Sequence, residues 1–457
     1  MSVIQPEQFH TVSHSQAAKA MGMSAAPEVR RHAALEVQAL LQRVDRLLPF
    51  SSTMTMVPAA GVSLRAMALI ESQQRGARAR LRRAASEFLR WLNSAAGAQA
   101  TATRIQNRFV ILKMRFNAVL SQFDIFADVL VQRSELGTGI WIAGLDDLAA
   151  DALRLDGMQL AVPEMVCYLD RGHGAAIRRA KTELPGGDMN PVAIIRIPRE
   201  RMAGLGIGAS LVHEVGHQAA AILDLVPALT DKLREAKQGA DPADGHAWNC
   251  WQHWISEIVA DLWSVGQLGI TATYGLMGVV SLPRFFMFQV ELDGPHPFPW
   301  IRVMLSITMG RMLYPDGQWD RVEGMWRAMY PLAGLTDDVM SVLSGLLRTM
   351  PRFLSIVLGH RPGNAGGSSL AAAFRLQNRG VDALRSIGAA MSRRGGRWHE
   401  LRPTLAIAAI GQARIEARLT PTQESRLISR LLIDWAVRSS LTGSRSLAAC
   451  SATTTGL

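Results

Sequence analysis

One short stretch of this chain sets two imidazoles and a carboxylate inside apolar sequence. His213-Glu214-Val215-Gly216-His217 is preceded by Leu205, Ile207, Leu211 and Val212 and followed by Ala219 and Ile222. Apolar residues at that spacing fold as a buried helix. Residues four apart on a helix lie on one face, one turn above the other. Any fold open to this chain must therefore bury a helix that aims both rings at one point. It must also supply partners there, because a buried polar group without a partner is costly.

Helical spacing recurs along most of the sequence, over 27–48, 63–95 and 102–131, with breakers at Pro58, Gly61, Gly97 and Gly137-Thr138-Gly139. The texture changes after Asp156-Gly157. Met165-Val166-Cys167-Tyr168-Leu169 is short, apolar and bounded by Pro163 and Gly172, and Val192-Ala193-Ile194-Ile195-Arg196-Ile197-Pro198 is β-branched and preceded by Gly186-Gly187 and Pro191, which predicts two strands. Beyond Arg302 helices return, broken by a loop at 361–368, and the last pattern, 402–437, gives way to a tail expected to be disordered. The expectation is a mostly α protein with a small α+β core. A helical module at 1–150 (loose over 1–25) precedes a core at 151–305, and a second helical module occupies 306–457.

Composition agrees with helices: 48% of residues are hydrophobic but only 6% aromatic, the apolar set being mainly Ala, Leu, Met, Val and Ile. The net charge is +11, with 44 of the 49 basic residues Arg. The densest run, Arg75 to Arg90, places Arg78, Arg82 and Arg83 among Leu81, Phe88 and Leu89, the pattern of a solvated helix face. No zinc knuckle or aromatic RNA signature accompanies it, so a nucleic-acid partner is not expected. Cys167, Cys250 and Cys450 are too few and too scattered for a disulfide framework, and the polar N-terminus has no apolar signal core. The most apolar run, 268–282, stops at Pro283-Arg284, short of the roughly 20 residues that span a bilayer. A cytoplasmic protein without a transmembrane segment is expected. Peripheral membrane contact stays open, and nothing indicates an oligomeric state.

Two helix histidines four apart can reach one ion, and Glu214 beside them can take a proton from water bound to it. Zinc suits such a site, accepting nitrogen and oxygen ligands and acidifying its water. The alternative is two core histidines bonded to carbonyls. A third histidine does not follow on the same helix, which continues Gln218-Ala219-Ala220-Ala221-Ile222-Leu223. A second helix, 251–265, is apolar at Trp251, Trp254, Ile255, Ile258, Val259 and Leu262, while His253, Glu257 and Asp261 form a polar stripe at intervals of four. Glu257 as third ligand, with Asp261 accepting the remaining N–H of a ligand histidine, would satisfy both acids. His253 or Cys250 could ligate instead.

These motifs together resemble a known family. His213-Glu214-x-Gly216-His217, then Glu257-x-x-Ala260-Asp261, then His296-Pro297 with Arg302 six residues after His296, resemble the gluzincin zinc metallopeptidases. Within them they resemble the group of CAAX prenyl endopeptidases and heat-shock membrane peptidases. The resemblance covers about residues 190–305. It implies His213, His217 and Glu257 as zinc ligands, Glu214 as general base and Asp261 as partner of a ligand. It also implies His296, or Arg302, at the oxyanion, and a peptide or protein substrate. Prenylated substrates and membrane embedding are not carried over, since that group has transmembrane helices beside its core.

The strand at 192–197 is expected to be an edge to which an extended peptide could add. Gly204-Leu205-Gly206-Ile207-Gly208-Ala209 superficially resembles a dinucleotide fingerprint, but it opens the histidine helix and no βαβ unit follows. Tyr274 is a weaker candidate for an oxyanion donor.

Overall fold

The computed structural model describes residues 26–171, 174–199, 204–290, 294–363, 366–392 and 397–454, with backbone alone at 392 and 443–454. The loose segment expected at 1–25 lies outside the described residues. The protein is mostly α-helical with one small sheet. Its helices of more than a turn are α1 (Ala26–Asp45), α2 (Leu64–Leu92), α3 (Ala102–Val131), α4 (Leu136–Leu153), α5 (Leu205–Ile222), α6 (Leu225–Gln238), α7 (Gly245–His253), α8 (Ile255–Leu268), α9 (Ile270–Val280), α10 (Pro299–Leu313), α11 (Gln318–Met329), α12 (Asp337–Gly359), α13 (Leu370–Leu376), α14 (Val381–Ser392), α15 (Pro403–Ile415) and α16 (Pro421–Thr454). The strands are β1 (Met165–Asp170), β2 (Ala176–Arg178) and β3 (Ala193–Pro198).

The chain forms two compact units: Met1–Met54, Ala68–Asp128 and Glu183–Met189 in one, Thr55–Met67, Val129–Thr182 and Asn190–Leu457 in the other. In the first, α1, α2 and α3 bury one stripe each. Val37, Leu40 and Val44 meet Leu81, Ala85 and Phe88, and these meet Ile105, Phe109, Leu112 and Phe116. Arg82 and Arg83 of α2 are exposed, Arg82 pairing with Asp45 at 2.6 Å while both stay about half exposed, an arrangement worth at most about 1 kcal/mol, whereas Arg78 is half-buried and donates to the Leu47 carbonyl.

The second unit holds the histidine helix. Its core joins Ile142, Leu145 and Leu148 of α4, Leu211, Val212 and Val215 of α5, Ile258 and Leu262 of α8, Ile301 and Leu305 of α10, and Ile407 and Leu432 of α15 and α16. The sheet order is β1-β3-β2, with β1 parallel to β3 and β2 antiparallel to it (Ala176 opposite Arg196, Arg178 opposite Ile194). A buried ion pair fixes β1 to α4. Arg133, fully enclosed, donates to both Asp146 oxygens (2.8 and 3.2 Å) and to the Cys167 carbonyl (2.6 Å), while Asp146 accepts the Cys167 N–H (2.6 Å).

Several expectations are corrected. The module boundaries at 150 and 305 fall inside α4 and α10, whose apolar faces belong to the same core as α5. The strand at 192–197 is central; β1 and β2 are the edges, and β2 is too short for periodicity to mark. The tail expected to be disordered continues α16 through Thr454. The helix expected over 251–265 breaks at Trp254 (φ −90°, ψ 2°), whose N–H still bonds Cys250 while its own carbonyl starts α8. Finally, α12 is by length and composition long and apolar enough to cross a membrane. Here its apolar face (Leu343, Leu346, Met350, Phe353, Val357) is core, and its outer face carries Arg348, paired with Asp244.

Helices α5 and α8 touch backbone to backbone. A Cβ on Gly216 would stand 2.8 Å from the Ala260 Cα, 2.9 Å from its carbonyl oxygen and 2.9 Å from the Trp263 Cβ. Glycine here lets the histidine helix approach the helix carrying Glu257. Gly216→Ala should therefore destabilise the protein by about 1–3 kcal/mol, the usual cost of overpacking, and weaken metal binding by spreading the helices. Urea unfolding and metal titration check this; an unchanged midpoint would show that the helices tolerate separation.

Candidate metal centre

Helix α5 directs the His213 and His217 rings to one side, edge to face with centroids 5.0 Å apart. Across the Gly216 contact, α8 brings Glu257 to the same point. His213 Nε2 lies 3.3 Å from Glu257 Oε2, and His217 Nε2 lies 3.4 Å from Glu257 Oε1. Ligand atoms of the three residues lie within 4.8 Å of one another, a group that could hold a metal ion. Each ring thus faces a different oxygen of the one carboxylate, His213 facing Oε2 and His217 facing Oε1. Glu257 Oε2 is buried yet has no hydrogen bond of good geometry. Its neighbours are cationic or ring nitrogens, His296 at 3.1 Å, His213 at 3.3 Å and Arg302 at 3.7 Å, a setting in which a metal ion could also serve it.

The surroundings fix the first histidine. The Nδ1–H of His213 donates to Asp261 Oδ1 at 2.8 Å, which selects the tautomer that leaves Nε2 free for an ion. Arg302, from α10, clamps the same carboxylate, its Nε reaching Oδ2 at 2.6 Å and its Nη2 reaching Oδ1 at 2.9 Å. That fork is the strong bidentate kind. Ser256 Oγ stands 3.5 Å from His217 Nδ1, a long contact that still faces the ring's second nitrogen.

Burial and neighbouring charges compete at the centre. Burial disfavours ionised Asp261, but Arg302 and His213 outweigh it and hold its carboxyl well below the usual range. Burial likewise opposes ionised Glu257, and the nearby rings of His213 and His296 reverse the balance. Burial also disfavours a charged His213, yet Asp261 raises its pKa to about 9, while burial and the His213 charge lower His217 to about 4. Glu214, only 9% exposed, is pushed up mainly by burial, with Glu257 adding to it. A metal ion bound at His213 would replace the proton that Asp261 otherwise keeps on that ring.

Two openings reach the centre. A cavity of about 160 Å³ has walls of Ala209, Val265, Ala272, Leu276 and Val279, with His213, Glu214 and Arg302 beside them. A wider polar cleft of about 360 Å³ is lined by Ala175, Ala176, Ile177 and Arg179 from the β2 side, and by His213, Glu214, His217, Ser256, Glu257 and His296. Glu214 borders both.

Of the residues singled out in the sequence, His213, His217 and Glu257 form the group itself, with Glu214 and Asp261 beside them. His296 is half exposed, its Nε2 3.1 Å from Glu257 Oε2. Arg302, a candidate at the oxyanion, is committed to Asp261. His253 lies before the Trp254 break, so its ring leaves the stripe and Nε2 contacts the Gly294 carbonyl at 3.0 Å. Cys250 is buried outside the group, burial pushing its thiol to about 11. Tyr274 lines neither opening. The sequence did not single out Ser256, Arg179 or β2. Ser256 could have been suspected as the neighbour of Glu257, whereas a three-residue strand and one Arg among 44 carry no signal.

No protein-family model, curated protein or solved structure matches this chain.

Alanine at His213, His217 or Glu257 should each abolish tight binding of a divalent metal in a competitive chelator titration, because two remaining ligands bind weakly. Asp261→Asn should keep binding but weaken it about ten- to a hundredfold, and His253→Ala should match the parent. Parental affinity in Glu257→Ala would overturn the ligand assignment.

Proposed function

We propose that this chain is a zinc-dependent metallopeptidase of the gluzincin type. The observation that carries the proposal is the convergence of His213, His217 and Glu257, whose ligand atoms lie within 4.8 Å of one another, with Glu214 beside them and a cleft leading in. The resemblance of the three motifs to gluzincins supports the same reading. Bound zinc would supply a Lewis acid that polarises a carbonyl and acidifies water.

The chain's own groups divide the remaining work. Glu214 takes the proton of the attacking water and returns it to the leaving amine; burial raises its carboxyl above the usual range, which strengthens it as a base. His296, at the mouth of the cleft, can donate a hydrogen bond to the oxyanion. Arg302 holds Asp261, and Asp261 holds the His213 ring in register. Strand β2 offers its outer edge beside Glu214, so an extended peptide could pair with it and lay its backbone past the centre. That edge favours a peptide over other substrates of a hydrolytic metal site. A closed, non-catalytic metal staple would need a fourth protein ligand, and no other His, Cys, Asp or Glu among the described residues joins the group.

Glu214→Gln keeps the side chain's size and removes the base. Its metal content should equal the parent's while peptide hydrolysis falls by about 10²- to 10⁴-fold, read by metal analysis alongside cleavage of a peptide library. Equal cleavage by both proteins would reject the mechanism.

A further inference from the structure

Cations near the centre are mostly spoken for. Arg302 is forked onto Asp261 and the His213 Nδ1–H is held by the same carboxylate. Arg179 is different. It lines the wider cleft on the β2 side, together with Ser256 and Glu257. Its backbone is pinned, the carbonyl accepting from Thr182 Oγ1 at 2.7 Å and from Asn190 Nδ2 at 3.1 Å. Its side chain is exposed, and its guanidinium makes no hydrogen bond or ion pair among the described residues. The two carboxylates that share the cleft do not offset it: Glu257 faces the histidines and Glu214 borders both openings. Arg178 and Lys181, both exposed, flank it in sequence with the same sign of charge.

A fixed backbone carrying an unpartnered guanidinium in a cleft is a receptor for a planar anion. Arginine meets a carboxylate with two parallel N–H donors, which gives direction as well as attraction. An extended peptide added to β2 would run past Arg179 as it runs past Glu214. The other cavity, walled by Ala209, Val265, Ala272, Leu276 and Val279, has as its one arginine Arg302, already held by Asp261.

We propose that Arg179 is a specificity residue that binds a carboxylate of the peptide on the β2 side of the scissile bond. This rests on the peptidase reading given above. The carboxylate can come from an acidic side chain, which makes the protein an endopeptidase selective for acidic sequences. It can equally come from the chain terminus, which makes it a carboxypeptidase. The protein's net charge of +11 adds long-range attraction for either.

The test uses zinc-loaded Glu214→Gln protein, which binds without cleaving, and peptides that differ only in charge. One pair exchanges Glu for Gln within the sequence, and the other exchanges a free C-terminus for an amide. For one of the two pairs the acid should bind about tenfold more tightly, the scale of a charge-assisted hydrogen bond. The pair that shows the difference identifies the source. Arg179→Ala should bring that ratio close to one, Arg179→Lys should keep part of it, and Arg179→Glu should reverse it toward peptides bearing Lys. Parental zinc content in each variant shows that the fold is intact. Ratios near one in the parent, or a ratio untouched by Arg179→Ala, overturn the carboxylate site. The same peptides given to protein with Glu214 intact test the other reading separately. If none is cleaved while the Arg179-dependent ratio persists, the peptidase reading fails and the anion site stands.

Discussion

The approach of α5 to α8 at Gly216 governs the rest of the second unit. With no side chain at that position, two helix backbones meet within van der Waals distance, and residues on the facing turns are brought within bonding reach. Glu257 and Ala260 lie one turn apart on α8, so the contact that seats Ala260 against Gly216 also carries Glu257 to the two rings. The helix ends are secured at a distance from the centre. Trp263 and Gln267 of α8 both donate to the Ala152 carbonyl, at 2.8 and 3.0 Å, tying α8 to α4. Near its other end, Trp251 stacks on Phe353 with ring planes 11° apart and donates to Thr349, tying α7 to α12. Helices from both sides of the core thus hold the geometry that three ligand atoms require.

Burying so many acids needs compensation, and the compensation is arranged in layers. Arg302 neutralises Asp261 through two short hydrogen bonds, and Asp261 in turn orients His213. Removing Arg302 would strand a buried carboxylate, the costly half of a buried ion pair. Glu257 is left with an oxygen that no protein donor serves well. His213, His217 and Glu257 could hold a metal ion at this point. Burial raises the Glu214 carboxyl, and the neighbouring Glu257 adds to the shift.

The centre was more legible in the sequence than the architecture around it. Two histidines four apart and an acid every fourth residue on a second apolar helix are local patterns, and local geometry on helices is nearly invariant. His253 misled for the same reason, since spacing alone could not reveal that the Trp254 backbone leaves the helix. The role of Arg302 was obscured because several acids could claim it, and only the fold brings Asp261 to it. Boundaries at 150 and 305 failed because helix-forming sequence looks alike whether it packs on its own module or on a neighbour's core. Strand β2 and Arg179 were invisible: three residues cannot show a period, and an exposed arginine is distinguished only by what surrounds it.

The central claim is that three protein atoms, two nitrogens and one oxygen, surround one ion with a position left for solvent. X-ray absorption at the metal edge of zinc-loaded protein measures this directly. The account predicts a first shell of two imidazole nitrogens and two light oxygen atoms at about 2.0–2.2 Å, one of those oxygens being lost to an added hydroxamate while the other stays. A third imidazole, which His296 would have to supply, a sulfur scatterer, or a shell that no added ligand alters would contradict it.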